Sequence, residues 1–391
     1  MSTYNAFTFS TVPNVVCETG AAQKLGTLVR QQFPHVKNAL IVTDRGFLGT
    51  GLIQPPADTL RAAGIQVHLY ADVLADPPEH IVLQAADQAR SQQTDIVIGF
   101  GGGSSMDVAK LISILAASEQ PLSSMYGIGN VKGDRLPLVQ IPTTAGTGSE
   151  VTPISIVTTG ETTKMGVVSP KLYADLAILD AALTVGLPAK VTAATGIDAM
   201  VHAIEAYTTR HKKNALSDML AREALRLLSR NLVQACEDGG NLEARQAMLL
   251  GAMLAGQAFS NAPVAAVHAL AYPIGGIFHV PHGLSNALVL PHVMRFNAGH
   301  AAASYAELAG IVVPGSAGTQ GSDEARSHAL IAALEQLAHR VGIATTLREV
   351  GIGEADLDRL ADDAMLQTRL LVNNPRELQR EDARAIYAAA L

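Results

Sequence analysis

Asp95-Ile96-Val97-Ile98-Gly99-Phe100-Gly101-Gly102-Gly103-Ser104-Ser105-Met106-Asp107-Val108-Ala109-Lys110 is an apolar run that passes straight into a glycine turn and then into a helical pattern. A short, continuous β-branched run bounded by glycine fits a strand covered on both faces, as parallel strands between crossover helices are. Working outward, residues 39–43, 65–70 and 138–141 are further apolar runs, alternating with helical patterns. That alternation predicts a parallel sheet in an α/β domain. Most of these runs end in polar or glycine-rich turns, and ligands of open α/β sheets bind outside such carboxyl ends.

Beyond Leu187-Pro188 the β-branched runs thin out and Ala/Leu-rich segments at helical spacing take over. We place a domain boundary there, giving an α/β domain over residues 1–187 and an all-α domain over residues 188–391. The length of 391 residues agrees with two domains, because one core rarely grows past about 250–300 residues. Leu330, Leu334, Leu337 and Val341 fall on one helical face and Gly342 follows as a stop. Residues 312–322 are a loop by composition. The stretch from Gln246 to Met294 contains no Asp, Glu, Lys or Arg, yet four prolines, several glycines and four histidines interrupt it. It falls short of the ~20 continuous apolar residues a bilayer requires, and reads as buried core.

Composition excludes several classes of function. Hydrophobic residues make up 48% and charged residues 16%, too apolar for a disordered chain. Net charge is −7 and no basic run occurs, which argues against a nucleic-acid partner. Cys17 and Cys236 are far apart and form no CxxC, so neither a disulfide framework nor a cysteine zinc ribbon is available. Met1-Ser2-Thr3-Tyr4-Asn5 has neither the basic nor the apolar region of an export signal, and the expectation is a cytoplasmic protein without a membrane partner.

Four features carry chemistry. The turn Gly101-Gly102-Gly103-Ser104 lets a backbone approach a phosphate and offers the N–H groups of a helix start to an anion, although a plain tight turn has the same composition. It matches neither GxGxxG nor GxxxxGK[ST]. Asp44, ending an early strand, suits the two hydroxyls of an NAD ribose and equally a helix N-cap. Thr143-Thr144-Ala145-Gly146-Thr147-Gly148-Ser149 offers hydroxyls and unhindered backbone donors without charge. The fourth feature is rich in histidine. Asp198 and His202 lie four apart on one predicted helical face, while His268 and His282 fall in the charge-free stretch. Histidines in an apolar core are either hydrogen-bonded and neutral or ligated to a metal. One carboxylate with three imidazoles suits Fe²⁺ or Zn²⁺.

Together, residues 101–110, 141–152, 195–207 and 267–276, with Pro281-His282-Gly283, resemble the iron-containing (group III) alcohol dehydrogenase family. The likeness runs from the first strands to Asn374-Pro375-Arg376. It implies that family's two-domain fold, also seen in dehydroquinate synthase, with cofactor and metal meeting in the cleft between the domains. By resemblance the metal ligands are Asp198, His202, His268 and His282, and the NAD contacts are Asp44, Gly102, Gly103, Ser104, Thr143, Thr144, Thr147, Thr152, Lys164 and Leu183. A homodimer is also implied. Two positions depart from the family. Tyr272 stands where many members carry a proton-relaying histidine, so that Tyr272 or His279 is the candidate relay; Tyr272 equally suits a packing role in the substrate pocket. Asp76 precedes Pro77 where relatives often have Asn, with a local effect on cofactor affinity expected.

The expected activity is hydride transfer between NAD(H) and a small alcohol/aldehyde pair, the metal acting as Lewis acid. Because the region near the expected site lacks Arg and Lys, a neutral substrate is favoured over a carboxylated one. The alternatives are an NAD-dependent hydroxy-acid dehydrogenase or transhydrogenase of the same family, a dehydroquinate-synthase-like lyase, and a non-catalytic metal- or nucleotide-binding protein. The lyase would need a basic cluster for a phosphorylated substrate, and residues 246–294 contain none.

Overall fold

The apolar runs that opened the reading become the centre of a sheet. The computed structural model describes residues 6–160 and 163–391, so Met1–Asn5, used above to argue against export, lie outside the described residues. In chain order the strands are β1 (Val15–Cys17), β2 (Asn38–Val42), β3 (Gln66–Tyr70), β4 (Ile96–Gly101), β5 (Gly127–Ile128), β6 (Leu138–Pro142), β7 (Ile154–Thr159), β8 (Thr163–Val168) and β9 (Leu176–Leu179). Among the described residues six of them form one parallel sheet in the order β1-β9-β6-β4-β2-β3. Helices α1 (Leu25–Gln32), α2 (Gln54–Ala62), α3 (Glu79–Ser91) and α4 (Gly103–Leu115) lie between its first strands in sequence. The remaining strands make a smaller sheet, β5-β8-β7, in which β7 and β8 are antiparallel.

Burial explains the central strand. Ile96, Val97, Ile98 and Phe100 are all fully buried, as expected of a strand covered on both faces. Gly99 interrupts the run because a Cβ there would lie 2.9 Å from Ala109 Cβ on α4 and 2.0 Å from Gln140 Oε1 on β6. The β4–β6 register aligns Gly101 with Pro142, which brings two turns side by side at the carboxyl ends of two interior strands. β1 forms one edge of the sheet against β9, and the carboxylate of Asp180, just beyond β9, accepts N–H bonds from Gly20 and Ala22 at 2.7 and 3.0 Å.

The chain divides into two compact units. One comprises Ser10–Thr144 and Gly148–Gly186; the other comprises Leu187–Leu391 with Ala145–Thr147 and residues 6–9. The second unit is helical: α5 (Ala189–Thr208), α6 (Ala215–Glu237), α7 (Leu242–Asn261), α8 (Ala266–Phe278), α9 (His282–Val312) and α10 (Asp323–Arg340) are its long helices. The fold is thus an α/β unit built on a parallel sheet, and a helical unit. Ser322 caps α10 at its start, and Gly342 follows its end with φ 70°, the left-handed stop that glycine accepts most readily. The charge-free stretch forms most of α7, all of α8 and the first part of α9, with Pro273 and Pro291 inside helices. Among the described residues no helix is long and apolar enough to cross a membrane. The loop at 312–322 is shorter than its composition suggested, because α9 runs to Val312 and Gly315–Gly318 form a 3₁₀ turn.

Candidate functional site

Helix α5 presents Asp198, His202 and Glu205 at i, i+4 and i+7, one face of one helix. His268 projects from the first turn of α8, and His282 is the first residue of α9. Asp198, His202, His268 and His282 each bring one ligand-type atom into a group whose members all lie within 4.8 Å of one another. His268 Nε2 and His282 Nε2 are 4.0 and 3.7 Å from Asp198 Oδ1. The His202 ring stacks on Phe259 at 4.4 Å and on His268 at 4.7 Å between centroids. Three donors are buried, whereas the His282 side chain is 41% exposed and marks the open side. Gly283 permits the convergence, since a Cβ there would fall 2.5 Å from the Ala194 carbonyl oxygen of α5.

The protonation states suit a cation. Burial pushes the His202 imidazole down to about 3, so the ring is neutral and keeps a lone pair. Burial alone would raise Asp198, but the three imidazoles and a hydrogen bond from Asn286 outweigh it and hold the carboxyl below its ordinary value. Among the described residues His202 Nδ1 is buried with no hydrogen-bond partner. Ligand atoms about 2.2 Å from one ion lie at most about 4.4 Å apart, so a few tenths of an ångström of closure lets all four reach a divalent ion. The donor chemistry fits Fe²⁺ or Zn²⁺.

The sequence reading assigned no role to Glu205. Its buried carboxylate accepts from the Ala265 and Val267 N–H groups at 3.0 and 2.7 Å, and lies 2.7 Å from His268 Nδ1. A carboxylate only accepts, so Nδ1 carries the hydrogen and Nε2 keeps its lone pair toward the other donors. The missed signal was the helical period itself, one turn past His202. Of the two relay candidates, Tyr272 packs its partly buried ring 6.0 Å from that of His282. His279 ends α8 in the left-handed region, with φ 56°, and is exposed.

The other unit holds most of the glycine and threonine residues. Gly101 ends β4, Gly102 caps α4, and α4 starts at Gly103, inside the glycine turn itself. A Cβ on Gly102 would sit 3.7 Å from Thr144 Oγ1, so the two turns are neighbours, and Thr143 N–H donates to the Gly101 carbonyl at 3.0 Å. Asp44 does cap a helix: its Oδ1 accepts from Phe47 N–H at 2.9 Å, while a Cβ on Gly101 would lie 3.7 Å from its Oδ2. Lys164 Nζ is paired at 2.5 Å with Asp76. Leu183 packs into the core beside the sheet, and Thr147 belongs with the helical unit. Beneath these turns Lys110 is fully buried, donating to Ser149 Oγ at 2.7 Å, Thr152 Oγ1 at 3.0 Å and the Ile154 carbonyl at 2.6 Å, with Asp107 Oδ1 at 3.3 Å.

Residues 13–181 match the family model described as iron-containing alcohol dehydrogenase, and residues 192–391 match that of the C-terminal part of the Fe-containing alcohol dehydrogenase family. The chain is 43% identical over 357 residues to long-chain-alcohol dehydrogenase 1 of Geobacillus thermodenitrificans (strain NG80-2), covering 90% of this chain and 89% of that one. The crystal structure of a 1,3-propanediol oxidoreductase superposes with a TM-score of 0.94 at 36% identity, covering 99% of this chain and 100% of the other. A sulfoacetaldehyde reductase from Bifidobacterium kashiwanohense, solved in complex with NAD⁺, superposes with a TM-score of 0.88 at 26% identity over 99% of each chain. Two family models in sequence along almost the whole length, over a four-donor cluster of the right chemistry, place the chain in the iron-containing alcohol dehydrogenase family.

Proposed function

We propose that this protein is an NAD-dependent, metal-dependent oxidoreductase that interconverts a small neutral alcohol and its aldehyde. The cluster of Asp198, His202, His268 and His282 is the observation that carries the reading. When bound there, Fe²⁺ or Zn²⁺ supplies Lewis acidity to the substrate oxygen, and NAD(H) exchanges the hydride. The chain's own part is to bind, orient and move a proton. Glu205 fixes the His268 ring, and burial keeps His202 neutral and ready to ligate. The Tyr272 hydroxyl is the proton route we favour, because its ring lies beside His282; exposed His279 is the second candidate.

Residues 1–187 serve the nucleotide in this reading, and residues 188–391 hold metal and substrate. The Gly102-Gly103-Ser104 turn receives the pyrophosphate at the start of α4. Asp44 takes the ribose hydroxyls, which a 2′-phosphate would make repulsive, so NAD⁺ is preferred over NADP⁺. Thr143, Thr144, Thr147, Thr152, Lys164 and Leu183 complete the cofactor set. Its family contains relatives named for long-chain alcohols, 1,3-propanediol and sulfoacetaldehyde, so membership alone leaves the substrate open. Phe259 and Tyr272 beside the donors, and the absence of Lys and Arg from residues 246–294, support a neutral substrate. We further propose a homodimer, on the family resemblance, and a cytoplasmic location, on the two free cysteines.

The deciding experiment is metal analysis of an anaerobic preparation together with NAD⁺ and NADP⁺ reduction across short alcohols, diols and hydroxy acids. About one metal per chain with NAD⁺-linked turnover of uncharged alcohols is the expected result. Strong selectivity for carboxylated substrates would overturn the neutral-substrate reading, and full activity in metal-free protein would overturn the metal-dependent one.

A further inference from the structure

We propose that Asp72 and Arg45 set the choice between NAD and NADP: Asp72 adds a second carboxylate beside Asp44 and holds the Arg45 guanidinium, so that a 2′-phosphate is refused. The inference rests on reading the glycine turn as the cofactor site, since in dinucleotide sites an acidic side chain at a neighbouring strand end takes the ribose hydroxyls. In the sheet β2 lies between β4 and β3, so the strand ends carry the glycine turn, then Asp44, then Asp72. Asp44 Oδ1 is taken by the Phe47 N–H, and Oδ2 would lie 3.7 Å from a Cβ on Gly101, against the turn that receives the pyrophosphate. Just past the strands Asp44 and Asp72 pair as an isolated antiparallel bridge, and beside it Thr43 N–H donates to the Tyr70 carbonyl at 2.9 Å. Residues directly opposite in such a pair point to the same face with Cβ atoms about 4.5–5.5 Å apart. The two carboxylates are therefore neighbours on one face.

Arg45 opens the helical turn Arg45–Leu48, and its Nε and Nη2 donate to Asp72 Oδ1 at 2.7 and 2.6 Å. A guanidinium beside the ribose is the group that accommodates a 2′-phosphate, by forking onto its oxygens. Here that fork is engaged by Asp72. A 2′-phosphate arriving at Asp44 meets two carboxylates and a cation already paired, whereas the ribose hydroxyls of NAD donate to Asp44 and bring no charge for Asp72 to repel. The two side chains are 83% and 53% exposed, so their pairing adds little to stability and its effect falls on the ligand that approaches.

The test titrates the full-length protein with NADH and with NADPH, reading dissociation constants from nicotinamide fluorescence without turnover. Wild type should bind NADH more tightly than NADPH. Asp72→Asn should tighten NADPH by about 5- to 30-fold, the effect of one unit charge on a phosphate of about −1.5 to −2 at roughly 4–8 Å in water. NADH should stay within about twofold. The gain should shrink when ionic strength rises from about 0.05 to about 0.5 M, because the side chains are exposed. Adding Arg45→Gln to Asp72→Asn should return NADPH to near its wild-type affinity, since the released guanidinium supplies the gain. NADPH affinity in Asp72→Asn within twofold of wild type, an equal gain for NADH, or a gain that survives Arg45→Gln overturns the role of the pair while leaving the cofactor site intact. A wild-type protein that binds neither nucleotide overturns the cofactor reading, and this inference with it.

Discussion

Replacing Glu205 with Gln separates the charge of its side chain from its shape. The carboxylate accepts three bonds: Oε2 faces Ala265 N–H and His268 Nδ1, and Oε1 faces Val267 N–H. A glutamine keeps its oxygen on the side of two partners and turns its NH₂ toward Val267 N–H. His268 then bonds a neutral acceptor in place of a charged one. With charged bonds contributing about 1.5–3 kcal/mol and neutral ones about 0.5–1.5, that exchange costs roughly 1–1.5 kcal/mol of ligand orientation. Metal affinity should fall about 5- to 13-fold. The stranded Val267 N–H should lower unfolding free energy by about 1–3 kcal/mol independently of metal. Glu205→Ala removes all three acceptors and should weaken the metal by roughly 10–100-fold. Chelator competition gives the first quantity, and denaturant unfolding of the chelator-treated protein gives the second. Metal affinity within twofold of wild type in both folded variants would refute the reasoning.

Three further outcomes follow from the packing. Gly283→Ala forces a methyl against the Ala194 carbonyl of α5 and should cost about 1–3 kcal/mol; thermal melts with and without Zn²⁺ should show a smaller metal-induced stabilisation than in wild type. Lys110→Met leaves Asp107, Ser149, Thr152 and the Ile154 carbonyl without their shared donor, and unfolding should ease by roughly 3–5 kcal/mol. NADH titration should show weaker binding, and an unchanged dissociation constant would detach Lys110 from the nucleotide turns. Burial raises Glu150 to about 7 from 4.5, partly opposed by the nearby Lys110. The native state therefore binds more protons than the unfolded chain between those values, so this group's stabilising contribution is complete below pH 4.5 and is lost as the pH rises through 7. Glu150→Gln should accordingly gain stability relative to wild type between pH 5 and 8, as urea midpoints at the two pH values would reveal; an equal difference at both would contradict the linkage.

Much of this architecture could be read before the structure because it is locally written. The strand and glycine turn at residues 95–104 announce themselves by composition, and the residues matching the family's metal ligands do meet in space. What escaped depends on distant partners. The little sheet of β5, β7 and β8 went unread, since a two-residue strand such as Gly127–Ile128 exists only by virtue of Val167 and Val168. The Asp44 side chain left a ribose contact and a helix cap both open, and the cap is present through Phe47 N–H. Glu205, inside the stretch 195–207 that carries the resemblance, drew no role there because what it does is hold a distant side chain, His268. Asp76 stood out as a departure, but its pairing with Lys164 crosses 88 positions and has no local signature.

The pairing of β1 with β9 has a consequence for how the protein is made. Val15 pairs in register with Ala177, whose N–H donates to the Asn14 carbonyl, and Asp180 fastens the turn after β1. Within the described sheet, the strand made first is therefore an edge that waits for the strand made last. At about 5–20 residues per second, residues 15–17 spend roughly ten to thirty seconds without their sheet partner. During that interval β2, β3, β4 and β6 can assemble among themselves, and closure of the edge is governed by chain length rather than by any local preference. Nascent chains stalled just before residue 176 should thus expose the segment around Val15 to protease, and chains stalled well beyond Asp180 should protect it.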